Sequence, residues 1–229
     1  IVSIPFSSAQ SPDVLSTERL NTVVRELRSE VESLRGLRFK SPITSRVATD
    51  EVIRNYLKEE LDEEPVLKKE KEFNLVLQLF GYIHKELDLR STYSQLLEEE
   101  VGGFYDEKKH CLFLAENFSV DDQVARTILV HEMCHALQDQ YFNLNQLLEA
   151  RKNNDDKLLA LMAVIEGDAT IVMNDYMQRT FSLKTISSWL KTFSYNHRAF
   201  LSTPYFIQQS LVFPYVQGLI FVNQAILCG

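Results

Sequence analysis

Two histidines four residues apart, with a glutamate directly after the first, place the strongest constraint on this chain: His131-Glu132-Met133-Cys134-His135. Imidazoles at i and i+4 lie one turn apart on the same helix face, so both can reach a single cation only if the segment is helical. H-E-x-x-H is the spacing of zinc hydrolases, in which the two rings bind the metal and the carboxylate acts as general base. With about 100 degrees per residue and His131 at zero, His135 falls at roughly 40 and Glu132 at roughly 100, while Leu129, Val130, Met133, Ala136 and Leu137 occupy roughly 140 to 260. One face carries chemistry and the opposite face enters a core. Ser119-Val-Asp-Asp122 reads as a capping-box-like start, which predicts a helix over about residues 121–140.

A catalytic zinc takes a third protein ligand and keeps one position open. Glu166 is the candidate, because it lies in an apolar helical run, residues 158–173, whose only charges are Glu166 and Asp168. Burying an unpaired carboxylate costs on the order of several kcal/mol, so Glu166 needs either a metal or an arginine such as Arg126 or Arg179. Gly167 would let another backbone come close, and Ala163 leaves room one turn earlier. Asp139, one turn beyond His135, is either the acceptor that fixes a ligand imidazole's tautomer or a solvated helix-end residue. Thr170, one turn after Glu166, is a second candidate for supporting the ligands.

With these residues in view, the chain resembles the gluzincin branch of zinc metallopeptidases, where a downstream helix supplies a glutamate as third ligand. Gly103-Phe-Tyr-Asp106, His131-Glu-Met-Cys-His-Ala-Leu-Gln-Asp-Gln140, Glu166-Gly-Asp-Ala169 and Pro214-Tyr-Val-Gln-Gly218 resemble, more closely, an uncharacterised bacterial family assigned as metallopeptidases. The resemblance spans about residues 96–222 and implies a zincin-like fold, one zinc ion on His131, His135 and Glu166, Glu132 as general base, and a peptide or protein substrate. In that family the chain continues well past the Pro-Tyr-x-x-Gly helix, so this chain, ending at Gly229, is expected to be part of a longer one.

Zinc lowers the pKa of its water to about 7, and a neighbouring carboxylate can take the proton and pass it to the leaving amine. The developing oxyanion calls for a further donor, for which Tyr215, His197 and Tyr105 are candidates. Tyr215 is preferred because Pro214 can start a helix and Gly218 lets that helix come close; otherwise it is a core aromatic. Gly102-Gly-Phe-Tyr and Cys111-Leu-Phe-Leu flank the polar run Asp106-Glu-Lys-Lys-His, a hairpin pattern. Gluzincin-like proteins set an edge strand beside the metal helix. Cys111–Ala115 is therefore expected to be that edge, with Tyr105, Leu112, Phe113 and Leu114 contacting an extended substrate, unless the hairpin only covers the core.

The remaining chain reads as an α-rich α+β protein with a small antiparallel sheet or hairpin beside the metal helix. Helical patterns cover 17–34, 50–61, 65–83 and 91–99, and 43–47 reads as a strand leading into a Thr49 cap. Residues 59–72 form a charge-dense stretch read as two helix ends meeting at a turn. The organisation expected is a signal remnant or tail over 1–15, a helical region over 16–95 and a zincin-like catalytic region over 96–229. A net charge of −8 and a pI near 5.2 argue against a nucleic-acid footprint, for which a basic face is the first requirement. Three cysteines cannot all pair within one chain, and Cys134 reads as a buried structural thiol. Ile1-Val-Ser-Ile-Pro-Phe-Ser-Ser-Ala-Gln10 reads as the end of a secretory signal, implying export, or as an extended tail. Residues 199–229 hold no charged side chain, but prolines and amides interrupt the run, so buried or lid-forming helices are expected rather than a membrane span. The rival to a peptidase is a non-proteolytic metal-binding protein or a helical interaction module.

Overall fold

Apolar residues at 20, 23, 24, 27 and 31 give helix α1 (Thr17–Arg35) a single buried face, as a 3.6-residue period demands. Ser16 accepts a hydrogen bond from the Arg19 N–H at its start, and Gly36 closes its end in the left-handed region at φ 73°, a conformation glycine adopts without steric cost. The computed structural model describes residues 15–63, 70–180 and 198–228. The expected signal segment, the start of the expected 65–83 helix, the turn of the charged stretch and His197 lie outside the described residues.

After α1 come β1 (Thr44–Ala48), α2 (Asp50–Glu63), α3 (Glu70–Leu79), α4 (Leu89–Glu100), β2 (Gly103–Asp106), β3 (Cys111–Ala115), α5 (Gln123–Phe142), α6 (Leu144–Glu149), α7 (Asp155–Arg179), α8 (Arg198–Ser202) and α9 (Tyr205–Cys228). Among the described residues the protein is predominantly helical with one small sheet, as an α+β class requires. That sheet is mixed rather than antiparallel. β3 lies at its centre, paired antiparallel with β2 (Phe104 opposite Phe113) and parallel with β1 (Arg46 opposite Phe113). The expectation of β3 as a free edge is therefore wrong. Both of its sides are hydrogen-bonded, so no extended peptide can add to it, and Leu112, Phe113 and Leu114 are buried.

One face of the sheet packs on α5, which also contacts α1 and α7. Asp122 caps α5 by accepting from the Val124 N–H, and Asn143 ends it in the left-handed region. The main core joins Leu20, Val24 and Leu27 of α1 to Phe104 and Leu114 of the sheet and to Leu129, Val130 and Met133 of α5. It thus runs across residue 95, the expected regional boundary. A smaller cluster gathers Leu61, Leu77, Leu89, Leu96 and Ile207 from α2, α3, α4 and α9.

α9 lies along α7. A Cβ placed on Gly167 would overlap the backbone of Gly218, and one placed on Gly218 would overlap the carbonyl of Ala163. The close approach read from Gly167, Ala163 and Gly218 is present, with the backbones themselves in contact. Pro214, however, stands inside α9 rather than at its start. Of the buried or lid-forming helices expected here, the buried reading fails for α9, which buries Ile207, Pro214 and Gly218 while Phe213, Val216, Ile220, Phe221, Ile226 and Leu227 are exposed. By length and composition alone, α9 is long and apolar enough to cross a membrane.

Candidate metal centre

Successive turns of α5 bring the Nε2 atoms of His131 and His135 to 3.0 Å from each other. From α7, Glu166 Oε2 lies 3.1 Å from His131 Nε2 and 3.5 Å from His135 Nε2. The three side chains are buried, with relative exposures of 2%, 0% and 2%. Three ligand atoms bound at about 2.1 Å to a tetrahedral ion are separated by about 3.4 Å, so this triangle has the dimensions of a coordination face. Two nitrogens and a carboxylate oxygen this close, out of water, repel unless a proton or a cation sits among them. The group could hold a metal ion. Glu166 faces the two imidazoles, and Arg126, one of the arginines considered as its partner, binds Glu26 and the Val120 carbonyl instead.

Glu132 is fully buried beside this triangle. Burial pushes its pKa up to about 7, helped by the Glu166 charge and opposed by His131 and by a hydrogen bond donated from the Tyr105 backbone N–H. Glu166 moves the other way. Burial alone would raise it, but the two imidazoles that face its carboxylate, His135 first and then His131, hold it at about 2. Two carboxylates in one site are thereby set apart, Glu166 held anionic and Glu132 able to exchange a proton near neutrality.

α9 adds Tyr215, whose ring centroid is 6.1 Å from that of His131. Its hydroxyl donates to Glu166, and burial together with the Glu166 and Glu132 charges raises its pKa well above the usual phenol value. Tyr215 is therefore a proton donor in hydrogen bonds and never a base at neutral pH. The site is assembled from α5, α7 and α9, the last seated by the Gly167–Gly218 crossing.

Asp139 does not support a ligand imidazole. Its Oδ2 accepts from the Tyr105 hydroxyl at 2.8 Å and pairs with His110 Nδ1 at 2.6 Å, and its Oδ1 accepts from the Leu144 N–H at 2.8 Å. The residue that does reach a ligand is Gln138, whose Oε1 is 2.9 Å from His135 Nδ1. On the helical wheel Gln138 falls at roughly −20 degrees and Asp139 at roughly 80. The first side chain therefore meets α7 and the second meets the hairpin. That angular difference is readable from the sequence; which neighbour stands at each angle is not. Thr170 is buried and its hydroxyl has no hydrogen-bond partner among the described residues, so it gives the ligands no such support. Tyr105 reaches the site through its main chain, while its phenol serves Asp139. Cys134 is buried and free, its thiol pKa pushed well up by that burial, in keeping with a structural role.

Fold and site together define a helix-rich α+β protein with a buried two-histidine, one-glutamate centre suited to a metal ion. No protein-family model, curated protein or solved structure matches the chain.

Proposed function

We propose that this protein is a zinc-dependent hydrolase of the gluzincin type that cleaves peptide bonds. The observation that carries the reading is the convergence of His131 Nε2, His135 Nε2 and Glu166 Oε2 with Glu132 buried next to them. Zinc suits two imidazoles and a carboxylate, and once bound it supplies a Lewis acid that acidifies water and polarises a carbonyl.

The side chains divide the remaining tasks. Glu132, with a pKa raised to about 7, accepts a proton from the attacking water and returns it to the leaving amine nitrogen. Glu166 stays anionic and balances the ion's charge. Tyr215 keeps its phenolic proton and turns it from Glu166 to the oxygen that becomes negative. The outer strand β2 serves the site itself, its Tyr105 N–H being donated to Glu132.

The test is metal analysis of the purified chain followed by cleavage mapping on a mixed peptide library. One zinc per chain is expected, together with a loss of hydrolysis by about 100-fold or more in Glu132→Gln at unchanged zinc content. Equal hydrolysis by that variant would sink the mechanism. Zinc uptake without cleavage of any peptide would leave a metal-binding protein instead of a peptidase.

A further inference from the structure

His131 and His135 differ in what holds the ring nitrogen remote from the cluster. His131 Nδ1 is buried with no hydrogen-bond partner among the described residues. His135 Nδ1 lies 2.9 Å from Gln138 Oε1, and Gln138 is itself pinned, donating through Nε2 to the Ile165 carbonyl at 3.0 Å and to Asp168 Oδ2 at 2.8 Å. The same Asp168 oxygen accepts from Arg35 Nε at 2.8 Å. Both groups facing the Gln138 amide nitrogen are acceptors, a carbonyl and a carboxylate paired with a guanidinium, so the amide cannot be turned over. Its oxygen must face His135, and an amide oxygen only accepts. The proton of a neutral His135 ring therefore belongs on Nδ1, and its lone pair on Nε2, the atom that faces Glu166 and His131.

We propose that Gln138, Asp168 and Arg35 form a positioning chain that presets His135 in the tautomer able to bind a metal, and so couple helix α1 to metal capture. The capture role rests on the zinc reading above; the preset tautomer does not. None of the three residues touches the reacting atoms. Their effect is to remove the alternative tautomer, which would place a proton where the ion must sit. Metal-bound histidines commonly donate their second nitrogen to such a partner, whose loss weakens metal binding about 10–100-fold. Here the partner is an amide held by an ion pair that reaches Arg35, the last residue of α1.

Nitrogen NMR of the imidazole rings in the metal-free chain, at a pH where they are neutral, reads the tautomer directly. In the wild type His135 should be held almost entirely as the Nδ1–H form, and Gln138→Leu should release it to a mixture. Zinc titration should show Gln138→Leu weaker by about 10–100-fold and Arg35→Met weaker in the same direction by a smaller factor. Gln138→Glu keeps an acceptor for His135 but sets two carboxylates against each other, so it should also weaken zinc. Adding Asp168→Asn restores a donor towards position 138 and an acceptor for Arg35, and should recover most of the affinity. This rescue, and Arg35→Met far from the ligands, carry the test even if Gln138→Leu fails to fold. An Nδ1–H tautomer that is no more populated than in a free histidine overturns the proposal, as does a double variant no tighter than Gln138→Glu alone. A wild type that takes up no zinc overturns the hydrolase reading and the capture role, while the NMR measurement still decides the preset.

Discussion

Helices α5 and α9 invert the relation between polarity and burial. α5 carries Thr127, His131, Glu132, His135, Gln138 and Asp139, all buried, and only the turns at its two ends meet solvent. α9 has no charged residue at all, yet its outward side exposes Phe213, Val216, Ile220 and Phe221. Polar groups can be buried on α5 because partners on α7, the hairpin and α9 meet them; an unpaired buried polar group costs roughly 1–3 kcal/mol. α9 is held through a narrow seam of small residues, and apolar surface left outside that seam forgoes burial rather than incurring a polar penalty. Burial here follows from how many neighbours a helix has, and polarity alone does not report it.

The sharpest way to break this comparison is to remove apolar volume from α5. Leu129→Ala should cost about 2–5 kcal/mol by denaturant unfolding, through lost burial and the cavity left behind; a cost below about 1 kcal/mol would mean that α5 is not the core helix described. Next comes the seam. Gly167→Ala adds a methyl group that meets the Gly218 backbone, and overpacking of this kind costs about 1–3 kcal/mol, against a helix-propensity gain of at most about 1 kcal/mol. The variant should also lose the Tyr215–Glu166 hydrogen bond, seen as a phenol that titrates at lower pH. A variant as stable as the wild type, with an unchanged phenol, would show that α7 and α9 do not cross at this point. The smallest effect is expected on the outer face of α9, where Val216→Ser should leave stability within about 0.5 kcal/mol of the wild type. A larger loss would place that face against a partner surface.

Much of the site is legible in the order of residues alone. His131-Glu-x-x-His135 demands a helix and sets which residues share its face, because the angle between side chains on one helix is local geometry. Glu166 stands out as a carboxylate in an apolar run, and Gly167, Ala163 and Gly218 announce a close helix contact, each for a reason internal to its own segment. Asp139 departs from its expected role for a different kind of reason. Its angle and that of Gln138 both follow from the helix, but whether α7 or the hairpin stands opposite each depends on the packing of distant elements. Arg35 has no local signal at all, since a basic residue in the last turn of a helix is already explained by the helix dipole.

The same division separates what the two levels decided. Periodicity, caps and residue chemistry determined, by themselves, that this chain has a metal-capable helix, a buried third acidic residue, a hairpin before them and a helical first segment. These depend on neighbours within a few residues. The order β1-β3-β2, the central place of β3, the exposure of α9 and the route from Arg35 to His135 were decided only in the folded chain. Each turns on which of several compatible surfaces meet, and that choice rests on the summed burial and polar satisfaction of the whole core, to which no single segment holds the answer.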